Sequence, residues 1–527
     1  MLRFVLLLTI LDVVSGYMIY SSANVHAFIK AEKRILDGLG NYIDYEEKRL
    51  VDLRKSSGYE KDIELAEYRI GNLTEFFEQV KENYTSFSED EYLKRASHPT
   101  TVHHILNNFV TNWNKKLKST FYGKKFVDFL NISKTLLPEF FDVETSKLAL
   151  LTIQRVYNIS ATRMITGDLF GHQGEPLSFA DAYEMGILSL RKGFIHEASE
   201  WLQLVVDECE RQPNQSTFSA TSAYSRLGLA YHVLNKFDEA EVLLEKAHHL
   251  NESDKEMYML YIQYRNRKVP NVHVYKNPDW WNNYTRMCNA NKTVSKLLWY
   301  HRCRYRCSRD IFQLYKEEIL SVSPYVSLIH YVIDNQTANQ VKLEATKQIN
   351  NASSSKSDEW MRVTYLSSEN QKATNIFSMV TKVTGLLAKP TIGGTLKTEV
   401  LNYGIGGQYE PRFDPPHLVD VDQRMASVFI YLTDVDEGGA TIFPNLGIKV
   451  APRKGSALFW FNYKPDGRPE INLERRECPV VIGQKWTAQT WIWKCGNENR
   501  RPCAKNSNST QFAVERMLFP QRECRYP

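Results

Sequence analysis

Near the start of the chain apolar residues recur every seven positions, at Ile29, Leu36, Ile43 and Leu50, while Glu32, Leu39, Glu46 and Leu53 mark the interleaved track. Such a heptad predicts a long helix over residues 29–53 with one seam turned to a partner. A second run, Ile63, Ile70 and Phe77 with Leu73 and Val80, repeats the pattern. The two helices can pack as a hairpin within one chain or across a dimer. His98-Pro99 opens a further helical stretch through Phe109, Val110 and Trp113.

Residues 177–250 read as two helical hairpins. Lys192-Gly193 joins helix 179–190 to helix 197–209, and Asn235-Lys236 joins 221–234 to 238–249. Ala182, Ala198, Ala230 and Ala240 supply the small side chains that closely packed helices need. The pattern is tetratricopeptide-like with about two repeats visible, a unit that needs neighbouring helices to close its core. Residues 268–281 shift to Pro, Asn and aromatics and read as a linker. Beyond residue 311 the period changes to short β-branched and aromatic runs at 398–403, 425–432, 457–461 and 486–493, divided by turns such as Glu437-Gly438-Gly439. Residues 389–394, with Pro390 and two glycines, form a loop before them. The predicted fold is α+β and multidomain, with N-terminal helical domains (coiled-coil and tetratricopeptide-like) followed by a C-terminal double-stranded β-helix, or jelly roll. The divisions are a signal peptide at 1–16, a helical dimerisation domain at 17–140, a tetratricopeptide-like domain at 141–267, a linker at 268–310, a catalytic-type domain at 311–505 and a tail at 506–527.

Composition changes this picture in one respect, the compartment. A basic Arg3, a short apolar run cut by Asp12 and small residues at 14–16 suit signal-peptide cleavage near Tyr17. No later segment is apolar enough to span a membrane. Eleven Asn-x-Ser/Thr sequons, from Asn72 to Asn508, fit a glycoprotein of the secretory pathway. In that oxidising setting the eight cysteines read as disulfides or inert thiols rather than metal ligands. The C-terminal Arg525-Tyr526-Pro527 is no lumenal retention signal, so residence in the endoplasmic reticulum lumen requires a retained partner. A formal charge of +5 over 527 residues gives no reason to expect nucleic acid.

The chemistry is carried by motifs in the last quarter: YGIGGQYEPRFD (403–414), RMASVFIYLTDVDEGGATIFP (424–444), KGSALFWFNY (454–463), CPVVIGQKW (478–486) and RRPC (500–503). Taken in order, they resemble the α subunit of collagen prolyl 4-hydroxylase, a 2-oxoglutarate/Fe(II) dioxygenase that uses ascorbate. The resemblance implies disulfides Cys288–Cys303 and Cys478–Cys503, leaving Cys209, Cys307, Cys495 and Cys524 without assigned partners. It also implies a protein disulfide isomerase and a second α subunit as partners, and procollagen-like proline-rich peptides bound by the helical repeats. An extended polyproline II ligand lies on aromatic rings, and Tyr183, Tyr224 and Tyr231 are the candidates for that face.

Non-haem iron needs two histidines and a carboxylate on one face. Of the positions the resemblance assigns to these ligands, Asp414 keeps its carboxylate, Arg412 replaces the first histidine, and Arg475, three residues before Cys478, replaces the second. A guanidinium offers no lone pair to a metal. His417 is the one nearby histidine, and none follows it. Lys485 matches the lysine that binds the distal carboxylate of 2-oxoglutarate, Tyr403 and Thr441 match polar residues of that pocket, and Trp493 replaces another active-site histidine. Two guanidiniums beside Asp414 sum to the same +1 as Fe(II) with that carboxylate, so the arginines are read either as a rebuilt charged site or as drift. With Arg412, Arg475 and Lys485 converging on Asp414, the pocket is expected to take 2-oxoglutarate or another dicarboxylate. The expected function is an endoplasmic-reticulum protein of the prolyl 4-hydroxylase α-subunit type, binding or acting on procollagen-type chains and catalytically impaired. The alternative is an active procollagen-proline 4-dioxygenase with a non-standard metal site.

Overall fold

The computed structural model describes residue 19 and residues 21–504, apart from 57, 86–87, 114–115, 117–122, 131–136, 213–218, 252–260, 263–271, 291–302, 308–313, 351–355, 359–360, 368, 389–396, 408, 413–423 and 502. The expected signal peptide (1–16), the loop at 389–394 and the tail at 506–527 therefore lie outside the described residues, as do Asp414, His417 and Cys524.

The heptad becomes α1 (Ser22–Arg54), capped by the Ser21 hydroxyl, which accepts from the Asn24 amide. It forms a hairpin with α2 (Glu60–Thr85) and takes α5 (Gly123–Leu130) against its other flank. Ile29, Leu36, Leu39, Ile43 and Leu50 are buried there, and Phe126 of α5 meets Tyr42 edge-on at 5.1 Å. Gly38 lets the α5 backbone in: a Cβ at this position would stand 2.5 Å from the Phe129 carbonyl oxygen. The heptad seam is thus covered within the chain. Short α3 (Glu89–Arg95) and α4 (Pro99–Asn108) lead through a π-helical turn, Phe109–Trp113, into the same core.

The helical array starts one helix earlier than its sequence pattern. Helix α6 (Phe140–Tyr157) packs against α8 (Phe179–Lys192), whose N-terminus is closed by a Ser178/Asp181 capping box. It supplies the neighbour that a two-repeat unit lacks. Between them, α7 (Ala161–Ile165) and a two-residue hairpin of β1 (Asp168–Leu169) and β2 (His172–Gln173) turn the chain. Helices α9 (Ile195–Arg211), α10 (Ala220–Val233) and α11 (Phe237–Leu250) follow, each on its predecessor. Gly186 lies under Leu202, and the same contact recurs 42 residues on (186 to 228, 202 to 244), where Gly228 lies under Leu244. The hairpin is therefore a structural repeat.

After α12 (Trp281–Asn289) the chain enters antiparallel sheets supported by α13 (Asn335–Asn350) and α14 (Gln371–Thr384). The strands are β3 (Cys303–Cys307), β4 (Leu314–Val322), β5 (Tyr325–Ile329), β6 (Lys356–Asp358), β7 (Met361–Ser367), β8 (Lys397–Tyr403), β9 (Tyr409–Arg412) and β10 (Arg424–Tyr431). They continue as β11 (Val435–Gly438), β12 (Thr441–Phe443), β13 (Ile448–Val450), β14 (Ala457–Phe461), β15 (Arg475–Glu477), β16 (Val480–Gly483) and β17 (Lys485–Trp493). A nine-stranded sheet runs β3-β4-β5-β14-β10-β17-β8-β7-β6, a four-stranded one β13-β12-β15-β9, and β11 pairs with β16. Strand alternation divides the cores: Val428 and Ile430 face the helices, whereas Phe429 and Tyr431 face the second sheet. The result is a helical N-terminal region followed by antiparallel sheets of jelly-roll type. Among the described residues no helix is long and apolar enough to cross a membrane.

Contacts that fasten the two halves include two built on buried groups. The Asn402 side chain of β8 accepts from the Ser21 hydroxyl (2.6 Å) and the Ala23 amide (3.1 Å) and donates to Ser22 Oγ (2.9 Å), pinning the start of α1. On the far side, α12 is joined to the end of β15 by a disulfide between Cys288 and Cys478, with Cα atoms 5.7 Å apart. This corrects the expected pairs Cys288–Cys303 and Cys478–Cys503. Helix α12 lies on the back of β15, whereas Cys303 sits on edge strand β3 of the nine-stranded sheet, and Cys303 and Cys503 are exposed thiols. Lys449 donates to the Cys288 and Ala290 carbonyls (2.6 and 2.7 Å) at the C-terminus of α12, where a cation is favoured. Tyr284 donates to the Glu477 carbonyl at 3.1 Å and Tyr157 to that of Pro479 at 2.7 Å.

Candidate functional site

The space between the sheets is crossed by a buried polar network centred on Glu477. Strand β15 places Arg475 and Glu477 two apart, both turned inward, and both side chains are almost fully enclosed (4% and 2% exposed). Arg475 donates to Glu477 Oε1 at 2.8 Å and to Gln489 Oε1 of β17 at 3.0 Å. Its guanidinium lies 4.4 Å from the ring centroid of Phe429, an arrangement that suits a planar cation in a dry site.

From the opposite sheet Lys485, fully buried, donates to Glu477 Oε2 at 2.5 Å and to the Gly439 carbonyl at 2.6 Å. The ring of Tyr403, its register partner on β8, lies 4.8 Å from Nζ. Thr441 donates to the same Glu477 oxygen at 2.7 Å and accepts from the Tyr431 hydroxyl at 2.8 Å. Burial pulls the Lys485 ammonium below its ordinary pKa, and Glu477 opposes that pull. Burial, then the Glu477 charge, holds the Tyr431 phenol well above its own.

Lys485, Thr441 and Tyr403 thus lie in one network. What the sequence reading lacked is Glu477, which supplies the carboxylate for Lys485 from inside the chain. Glu477 reduces the expected excess of positive charge by one, pairing with both described cations, Arg475 and Lys485. A signal was available, because Arg475-x-Glu477 repeats the Arg412-x-Asp414 spacing and strand alternation puts both members on one face. Arg412 stands opposite Arg475 in the β9–β15 register, so the two replaced histidine positions are neighbours across strands. Trp493, at the end of β17, is exposed.

The tyrosines of the helical array divide. Tyr183 and Tyr231 are half-buried, their hydroxyls bonded to Ser222 (2.7 Å) and Gln203 (2.8 Å). Tyr224, read as a ring of the peptide face, is only 7% exposed and belongs to the helical core, where burial pushes its phenol up to about 12.

The facing antiparallel sheets are of jelly-roll type, and residues 398–493 within them match the 2OG-Fe(II) oxygenase superfamily. Residues 21–171 match the prolyl 4-hydroxylase alpha-subunit N-terminal region. These two matches, with relatives similar along nine-tenths of the chain, support its assignment to the prolyl 4-hydroxylase α-subunit family. Bovine prolyl 4-hydroxylase subunit alpha-1 is 25% identical over 525 residues, covering 90% of this chain and 93% of that protein. Human subunit alpha-3 is 24% identical over 526 residues, covering 90% and 92%. Among solved structures, the viral collagen prolyl hydroxylase of Paramecium bursaria chlorella virus-1 in complex with 2OG is 22% identical, covers 32% of this chain and 94% of that one, and has a TM-score of 0.27.

Proposed function

We propose that this chain is a prolyl 4-hydroxylase α-subunit-type protein of the endoplasmic reticulum that works by binding rather than by oxygenation. The observation that carries the reading is the Arg475–Glu477 ion pair at 2.8 Å, buried at the position where the family resemblance places the distal iron-ligating histidine. A guanidinium already bonded to Glu477 and Gln489 brings no lone pair to a metal, so the residues present do not fit Fe(II).

The binding role draws on the rest of the chain, which keeps the family's length and its N-terminal region. Its partners in this reading are a protein disulfide isomerase, a second α subunit and procollagen-like proline-rich chains. Tyr183 and Tyr231 remain the rings proposed for the peptide face, and Tyr224 supports them from the core.

Metal analysis and 2-oxoglutarate decarboxylation, run side by side on the purified protein, test the reading. Neither stoichiometric iron nor decarboxylation above background is expected, and Arg412→His/Arg475→His should raise iron affinity. Turnover by the wild-type protein would establish the alternative, an active procollagen-proline 4-dioxygenase using a non-standard site built on Asp414.

A further inference from the structure

We propose that Glu477 is a built-in carboxylate ligand, filling from within the chain a small-anion site formed by Lys485, Thr441 and Arg475. The inference rests on the non-catalytic reading of the same site and adds what occupies it.

Three observations carry it. First, the carboxylate takes both its oxygens to donors that converge from different strands: Oε2 receives Lys485 and Thr441, and Oε1 receives Arg475. Second, the donors are oriented by groups of their own. Tyr431 donates to Thr441, the Gly439 carbonyl shares the Lys485 ammonium, and the Arg475 guanidinium also bonds Gln489. Third, the circuit joins the two sheets. Glu477 and its Cα partner Thr441 belong to the four-stranded sheet and Lys485 to the nine-stranded one, so the carboxylate occupies the space between layers where a ligand of this pocket would lie.

A carboxylate tethered two residues from Arg475 loses little freedom on binding and is present at high local concentration. A free carboxylate must displace it and then leave the Glu477 charge buried without its donors, which opposes exchange. Wild-type protein is therefore closed to small carboxylates, and truncating Glu477 opens a site of carboxylate size between the same donors.

The test is thermal melting of the full-length protein with sodium acetate, succinate or 2-oxoglutarate, against sodium chloride at matched ionic strength. Wild type should show no carboxylate-specific shift. Glu477→Ala should melt lower and recover on the order of 2 °C or more in excess acetate. Adding Lys485→Met should remove that recovery. Glu477→Gln, which keeps the shape and blocks the space, should melt lower without responding to acetate. The inference is overturned if acetate and chloride act alike on folded Glu477→Ala, or if calorimetry shows saturable 2-oxoglutarate binding to wild type, a measurement that stands even where the alanine variant does not fold. Iron-free, turnover-free wild type with an unresponsive Glu477→Ala would sink this inference alone, whereas decarboxylation by wild type would sink the binding function beneath it.

Discussion

Replacing Cys288 with alanine separates two incompatible disulfide arrangements. In the structure its partner is Cys478, 190 residues away, and both sulfurs are enclosed where α12 meets β15. Chain-entropy arguments make the magnitude depend on the loop closed: about 5 kcal/mol for a loop of this length, against roughly 3 kcal/mol for loops the size of Cys288–Cys303 or Cys478–Cys503. A chain of several parts need not melt in one step, so the loss is best followed as a shift of the transition that contains the sheets. Alkylation under denaturing, non-reducing conditions followed by peptide mass mapping gives the sharper answer. Cys288→Ala should expose Cys478 to the alkylating reagent and leave Cys303 labelled as in wild type. A cross-linked peptide containing Cys288 and Cys303 in the wild-type digest would refute the pairing, and with it the docking of α12 on β15.

Three further perturbations probe the contacts between regions. Burial, the leading cause, holds the His98 imidazole down at about 4 against 6.5. Both states are neutral above 6.5; between 6.5 and about 4 the unfolded chain takes the proton and the folded one does not, so this contribution falls by about 1.4 kcal/mol per pH unit, roughly 3 kcal/mol by pH 4. His98→Asn should flatten that part of the melting profile, and an unchanged slope would count against it. At Gly174 an added Cβ would stand 2.0 Å from His98 Nδ1, so Gly174→Ala should cost about 1–3 kcal/mol in denaturant unfolding unless the ring swings clear. Asn402→Leu leaves the Ser21 and Ser22 hydroxyls and the Ala23 amide without that partner and should cost about 1–3 kcal/mol, read as faster proteolysis at the start of α1 with the sheets intact.

Periodic patterns were legible to within a few residues, because their burial is decided locally. The hairpin helices expected at 179–190 and 238–249 are Phe179–Lys192 and Phe237–Leu250, and the strands expected at 398–403 and 486–493 are Lys397–Tyr403 and Lys485–Trp493. What escaped was non-local or too short to carry a period. Strand β15 is three residues, Arg475-Arg476-Glu477, all polar and all buried, and no hydrophobicity pattern marks such a strand. Helix α6 joins the array through contacts that include Gln154, which accepts from the buried Trp201 indole at 2.8 Å. Tyr224 packs in the core although its spacing also fits a groove, because aromatic residues at helical spacing look the same in either setting. The disulfide pairing depends on where the chain brings together two residues 190 apart in sequence, which spacing cannot give.

Substituting arginine at position 475 alone would set two cations, Arg475 and Lys485, into the space between the sheets. Unpaired charge there is costly, and a partly satisfied polar network is worse than an apolar one. Glu477 changes that balance because one carboxylate answers both cations, while Thr441 and Tyr431 extend the circuit across strands. The outer side of the same short segment is held by Tyr284 on the Glu477 carbonyl, by Tyr157 on that of Pro479 and by the Cys288–Cys478 bridge. Inner and outer attachments therefore coincide at residues 475–479. A segment fixed on both faces by groups of its own chain needs no bound ligand to hold its place, and movement there must break cross-sheet ion pairs and inter-region contacts together. That rigidity suits a scaffold that fastens helical array to jelly roll, and it makes Glu477 and Cys478, adjacent in sequence and facing opposite ways, the two residues through which the proposal is most directly tested.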